Sequence, residues 1–210
     1  KIHISGISKI QSIDIQMAKE MNCSIKLLGY FKQTENGLDA RVHPAILSSS
    51  HLLSNVNDVL NAVYMETSAL GSTLLTGAGA GKLPTASAVV GDLIYIANHL
   101  AHGQANPPKM GYYAQNNAAK LMPFEEVKSS YYLRFTALDE VGVLASITHS
   151  LSENGISIKS IIQKDVVDPG QVNIIVLTHT TQEKKVQAAI DKLKGSSSLV
   201  SEPQLIRFAE

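Results

Sequence analysis

A chain of 210 residues with 44% hydrophobic residues can bury one sizeable core or two modest ones, and two domains are expected. Its 18 Lys plus Arg are balanced by 18 Asp plus Glu, so no basic excess is left to neutralise a phosphate backbone, which argues against nucleic acid as a partner. No run approaches the roughly 18 apolar residues of a membrane span, which argues against a membrane partner, and the opening Lys1-Ile2-His3-Ile4-Ser5-Gly6 lacks the apolar stretch of a signal peptide. With Cys23 as the single cysteine, an intramolecular disulfide is impossible, and a cytoplasmic address is the expectation. The chain opens on a strand-like segment without an initiator Met, so it is expected to be a piece of a longer protein.

In chain order, Ile2-His3-Ile4 reads as a short strand, and Ser12 followed by Ile13, Met17 and Glu20 as a capped helix ending near Asn22. A strand over Ser24 to Gln33 is followed by Glu35-Asn36-Gly37, a hairpin turn because Asn and Gly tolerate positive φ, and by a returning strand from Leu38 to His43. Further strands are expected near Asn61 to Glu66 and Ser72 to Thr76. Ala86, Val89, Val90, Leu93, Ile96, Ala97 and Leu100 then recur at helical spacing behind Pro84, which predicts a buried helix. Between about Ala101 and Ser130 the cluster Gly103, Pro107, Pro108, Gly111, Asn116, Asn117 and Pro123 breaks every period, and the linker is placed at residues 106–129.

Beyond the linker the pattern is regular. Leu133, Phe135 and Ala137 alternate on a strand; Leu144, Ile147, Thr148 and Leu151 mark a helix; Ile156, Ile158, Ser160 and Ile162 mark a second strand. Val172, Ile174 and Val176 give a third strand, Val186, Ala189, Ile190 and Leu193 a second helix, and Leu205 to Phe208 a last strand. This order, βαββαβ, predicts a ferredoxin-like domain with two helices on one face of a four-stranded antiparallel sheet, turned at Asp168-Pro169-Gly170. Its bare edge or opposite face is expected to pair with a second copy, making a homo-oligomer.

The most conspicuous motif is Gly77-Ala78-Gly79-Ala80-Gly81-Lys82-Leu83-Pro84-Thr85, between a predicted strand and the long helix. Glycines let backbone N–H groups approach a ligand, and the helix start favours an anion. The spacing fits neither a phosphate loop, because Leu83 follows Lys82, nor the dinucleotide fingerprint, because Lys82 stands where a third Gly is required. On spacing alone a tight turn into a packed helix is favoured. His99 and His102 could share a metal, but capping of the helix carbonyls is preferred and no metal is expected. Lys26, in an apolar strand, is given a structural role.

Gly6-Ile7-Ser8, Ile25-Lys26-Leu27-Leu28-Gly29, Arg41-Val42-His43-Pro44, Asn61-Ala62-Val63 and Gly77 to Asp92 together resemble homoserine dehydrogenases in order and spacing, over essentially residues 1–100. The most specific piece is Gly79-Ala80-Gly81 with Pro84-Thr85-Ala86-Ser87-Ala88-Val89-Val90 and Asp92-Leu93; Ala78 departs from the Pro of many bacterial members. The resemblance implies an α+β fold with a mixed sheet and a Gly-rich turn that closes on NADP or NAD, carrying cofactor contact onto Gly79, Ala80, Gly81 and Thr85. It also implies that the Rossmann fold and the catalytic lysine lie in sequence before this chain, so no catalytic residue is carried over and the chain alone is expected to be inactive.

Tyr131 to Phe135, Asp139 to Ala145 and Asn154 to Ile158 resemble the ACT domain of amino-acid biosynthetic enzymes, which places residues 1–105 in the catalytic and dimerisation part and residues 130–210 in a regulatory part. In that family an effector, here implied to be threonine, binds between the turn and the strand of a partner domain, which carries effector contact onto Asp139, Gly142, Val143, Asn154 and Ile156. Val141 replaces the usual Pro. The expected function is NAD(P)-dependent interconversion of L-aspartate 4-semialdehyde and L-homoserine in threonine and methionine biosynthesis. A non-enzymatic amino-acid sensor or dimerisation module is the competing class, and a nucleotide phosphohydrolase using Gly77 to Lys82 the weakest.

Overall fold

The computed structural model describes residues 1–103, 120–165 and 168–209, so most of the expected linker, with Tyr112 and Tyr113, lies outside the described residues. The chain divides into two compact units, Lys1–Ser49 with Ala119–Glu210, and Ser50–Ala118.

The first unit begins with β1 (His3–Ile4), α1 (Ser12–Glu20), β2 (Cys23–Thr34) and β3 (Gly37–Ser48). The cap of α1 is Gln11, one residue before the expected Ser12, and the Gln11 N–H donates to the Asp14 carboxylate at 2.9 Å. β2 and β3 form an unbroken antiparallel hairpin from Cys23↔Ser48 to Thr34↔Gly37, so β3 runs five residues past its expected end at His43. Positive φ falls on Gly37 (+121°) and not on Asn36, and a Cβ at Gly37 would strike the Lys120 carbonyl. That close approach lets Leu38 exchange backbone hydrogen bonds with Lys120 and Met122 at 2.8 and 2.9 Å.

The second unit holds the β4 (Leu60–Thr67) and β5 (Gly71–Ala78) hairpin and α2 (Lys82–Ala101). The expectation that this helix is buried is corrected: none of its residues is buried, and Leu83, Val89, Val90, Leu93, Ile94 and Leu100 are all more than half exposed. Apolar spacing encodes the helix, but burial needs another element over it, and no described residue covers these positions.

The rest of the first unit contains β6 (Lys128–Ser129), β7 (Tyr131–Leu138), α3 (Val143–Glu153), β8 (Ile158–Asp165), β9 (Gln171–Thr178), β10 (Thr181–Gln182), α4 (Glu183–Leu193) and β11 (Gln204–Phe208). The βαββαβ order is present as β7-α3-β8-β9-α4-β11, with the expected turn at Asp168–Gly170, where Gln171 N–H donates to Asp168 O at 3.3 Å. The sheet, however, does not stop at four strands. It runs β8-β9-β7-β11-β3, and β3 pairs β2 along one edge and shares its other edge between β1, at Arg41–Val42, and β11, at Ala45–Ile46, making seven strands.

The period of two decides what each face buries. Tyr131, Leu133, Phe135 and Ala137 of β7 point into a cluster with Val143, Ile147 and Leu151 of α3 and Val186, Ala189 and Ile190 of α4. Tyr132 points to the other face and joins Met17 of α1, Ile46, Ile175 and Ile206. The bare edge and face expected to await a second copy are thus partly occupied by the chain itself, β3 on the β11 edge and α1 on the face. Fully burying side chains of this size contributes about 1.5–3 kcal/mol each.

Two ion pairs cross these interfaces. The Asp14 carboxylate accepts from Arg134 Nε at 2.7 Å, Arg134 Nη2 at 3.2 Å and the Tyr132 hydroxyl at 2.9 Å, joining residues about as far apart in sequence as 120 positions. Glu183 at the start of α4 accepts from Arg207 Nε at 2.8 Å and from the Tyr131 hydroxyl at 3.0 Å, and is also paired with Arg207 Nη2. Burial opposes the Glu183 charge, but hydrogen bonding to and the charge of Arg207, with Gln187 and Tyr131, outweigh it and hold the carboxyl below its ordinary range.

Removing one partner of a buried pair strands the other charge, at a cost of about 3–5 kcal/mol. Asp14→Ala is therefore expected to lose stability by that order in urea denaturation, while Lys9→Ala, whose partner Glu202 is exposed, stays within about 0.5 kcal/mol of the parent. Glu183→Gln should be clearly destabilised at neutral pH. Because the folded pKa of Glu183 is lowered, its contribution is complete above the unfolded value of 4.5 and is lost as pH falls through the folded value, so the gap between parent and variant should narrow below pH 4.5.

Candidate functional sites

The Gly-rich turn follows β5 and leads into α2. Gly79 N–H donates to Val59 O at 3.0 Å, and the Asn61 amide lies where a Cβ of Gly79 would stand, so a side chain there would have to displace it. Gly81 stands at φ +121° as the cap of α2, and Thr85 N–H closes the first helical turn onto its carbonyl at 3.1 Å. The first turn has no acidic residue and no side-chain cap, which leaves its free N–H groups and positive dipole end for another acceptor. The structure therefore brings Gly79, Ala80, Gly81 and Thr85 together on one exposed turn. A ligand with an anionic group near backbone N–H donors fits it.

The five ACT residues divide into two groups. Gly142, left-handed at φ +95°, caps α3, with Asp139 before it and Val143 opening the helix; Asp139 N–H is already held by Gly170 O at 2.9 Å. Asn154 and Ile156 stand beyond the other end of this 11-residue helix, about 16 Å away at 1.5 Å per residue. There the Asn154 amide nitrogen donates to Ser150 O at 2.8 Å and Ile156 is buried. One copy cannot close both groups on one small molecule.

His99 and His102 do cap α2: their Nδ1 atoms meet Tyr95 O at 2.9 Å and Asn98 O at 2.7 Å. Sequence reasoning missed a different cluster on β2 and β3. Arg41, 6% exposed, lies over the Tyr30 ring at 4.5 Å and pairs with Asp39 at 3.2 Å through Nη2, while its Nε and Nη1 meet no acceptor among the described residues. His43, 3% exposed, gives its Nδ1 proton to Pro44 O at 2.9 Å, and its Nε2 lone pair meets no donor among the described residues. Burial, against the hydrogen bond to Pro44, pushes the His43 imidazole down to about 4, and burial pushes the Asp39 carboxyl up against the pull of Arg41. The available signal was Asp39, Arg41 and His43 at alternate positions, hence on one face, of a single strand.

Gly142 has open space where a Cβ would stand, so Gly142→Ala tests backbone strain alone. A loss of about 1 kcal/mol is expected in thermal or urea unfolding, and Gly142→Asn should lose less, since Asn tolerates the left-handed region.

Among known proteins, the family model described as homoserine dehydrogenase matches residues 1–94, and the ACT domain model matches residues 131–195. A homoserine dehydrogenase of Neisseria gonorrhoeae is 42% identical over 98% of this chain and 48% of its own length, and one of Pseudomonas aeruginosa is 41% identical over 95% and 48%. The crystal structure of a homoserine dehydrogenase from Thiobacillus denitrificans superposes with a TM-score of 0.83 at 39% identity, covering 98% of this chain and 47% of that one. The chain thus spans about half the length of the curated relatives it matches. The Gly-rich turn lies inside the first matched segment and the capped turn of α3 inside the second, so residues 1–94 match the homoserine dehydrogenase family and residues 131–195 the ACT domain.

Proposed function

We propose that the whole protein is a cytoplasmic NAD(P)-dependent homoserine dehydrogenase that interconverts L-aspartate 4-semialdehyde and L-homoserine on the way to threonine and methionine. The observation that carries this reading is similarity to enzymes of that name along 98% of the chain, the Gly-rich turn included. When bound, the nicotinamide cofactor would supply or accept the hydride. This chain's part is to hold: the exposed backbone at Ala80 and Gly81 and the start of α2, which includes Thr85, would hold the cofactor beside Gly79, whose own N–H is given to Val59 O. Gly79 and Gly81 fit that role because the Asn61 amide packs against the bare Cα of one and the other needs positive φ.

Residues 1–105 would then form part of the catalytic and dimerisation domain, residues 106–129 the linker and residues 130–210 the regulatory domain. The two ends of α3 support a threonine effector held between copies, with Asp139, Gly142 and Val143 from one copy and Asn154 and Ile156 from another, in a homodimer or larger homo-oligomer.

The test is NAD(P)H formation from L-homoserine by the whole protein. Turnover is expected, and Gly81→Ala should raise the KM for the cofactor about tenfold or more, as loss of one well-placed contact does. Threonine binding with no turnover by the whole protein would replace this reading with that of a non-enzymatic sensor.

A further inference from the structure

The chain returns to the first unit through a single helical turn, Phe124–Glu126, that is tied down on both sides. Before it, Leu38 of β3 exchanges backbone hydrogen bonds with Lys120 and Met122; after it, Val127 O accepts from Glu183 N–H at the start of α4 at 2.8 Å. Between these ties the Phe124 ring stacks on the His3 imidazole of β1, with centroids 3.7 Å apart and planes 5° from parallel, and also lies under the Arg207 guanidinium of β11 at 4.9 Å. The stack closes over charge. His3 is in register with Arg41 of β3, and its imidazole faces Arg207, Arg41, the His43 ring and Glu183 of α4. Both carboxylates of this cluster are already paired, Asp39 with Arg41, and Glu183 with Arg207 and Tyr131. Lys1 before β1, Glu125 and Glu126 of the turn and Lys128 after it are exposed. His3 Nε2 is shielded from solvent and meets no partner among the described residues.

We propose that the Phe124–His3 stack is an acid-released latch, in which protonation of His3 frees the turn Phe124–Glu126 from the sheet. A neutral imidazole suits the closed latch, because Arg41 with Asp39 and Arg207 with Glu183 already balance. A proton on His3 adds a positive charge with no unpaired carboxylate of the cluster against it and with Nε2 shielded from water. The face of one phenyl ring, already shared with Arg207, offers such a cation less than its lost hydration costs. Lifting Phe124 lets solvent reach it. Burial first, then Arg207 and Arg41 against the pull of Glu183, hold the closed imidazole below its ordinary 6.5. The open form, at the ordinary value, binds the proton more tightly, so the closed latch has its full stability above pH 6.5 and loses it as pH falls. His43, pushed down to about 4, stays neutral while this happens, and Glu183, held below its ordinary value, keeps its charge. The proposal does not rest on the dehydrogenase reading.

The experiment is amide hydrogen exchange by mass spectrometry on the whole protein in steps from pH 7.5 to pH 5.0, each rate divided by the intrinsic rate at that pH. Protection of the Met122, Glu126 and Val127 amides, which donate to Leu38, Pro123 and Phe124, is expected to fall about tenfold, since each pH unit below 6.5 favours the open form by up to about tenfold. These amides should stay less protected than those of β7 and β9 at every pH, as a local opening requires. His3→Gln, which takes up no proton, should keep the turn equally protected across the series. The proposal is overturned if the turn's protection does not fall, if it equals that of β7 and β9 so that the opening is global unfolding, or if His3→Gln responds as the parent does. Where that variant fails to fold, deuterium uptake at the His3 ring carbon Cε1 of the parent decides: a titration midpoint coincident with that of the opening upholds the latch, and a midpoint apart from it overturns the assignment to His3. Turnover by the whole protein does not enter the readout.

Discussion

The pairing of β3 with β11 is the constraint on which the first unit depends. Two ladder positions, Ala45 with Arg207 and Ile46 with Phe208, splice the hairpin of residues 23–48 onto the four strands of the ACT domain. Once the edge is shared, the opposite face must be covered too, and α1, which precedes the hairpin in sequence, lies over it through Met17. The Asp14–Arg134 pair then fixes where that helix sits, since a buried carboxylate without its guanidinium would be far costlier than an apolar mismatch. An ACT domain that is separate in sequence is therefore joined in space to the segment before it.

This has a consequence for function. A change at the turn of α3 acts on a sheet that includes β2 and β3, and β3 carries the buried Arg41 and His43. Such continuity supplies a physical route between the turn of α3 and the rest of the unit. The two groups of proposed effector contacts, at opposite ends of α3, add a second requirement. Ligand capture by all five calls for a second copy.

Much of the fold was legible in the sequence because it is local. The period of two in residues 131–137 and the helical spacing of residues 143–151 and 183–193 each encode an element, and the element order encodes the ferredoxin-like arrangement. The Gly-rich turn was legible for the same reason, as a contiguous run. What was not legible is long-range. Asp14 carries no local sign of its role, which appears only when the fold brings it to Arg134, and nothing in the run of residues 38–43 shows that β3 continues to Ser48 and receives β11. The spacing in α2 likewise encodes a helix but not what covers it, which is why burial was expected and exposure is found.

Hydrogen exchange on the native chain tests the central claim, that residues 1–49 and the ACT strands are one cooperative unit, most directly. The account predicts that slow amides of β3 near Ala45 and Ile46, of α1 near Met17 and of β7 and β9 open with a single free energy equal to that of global unfolding. If β3 and α1 exchange through a separate opening of much lower free energy while β7 and β9 stay protected, the shared sheet is an incidental contact and the account is wrong.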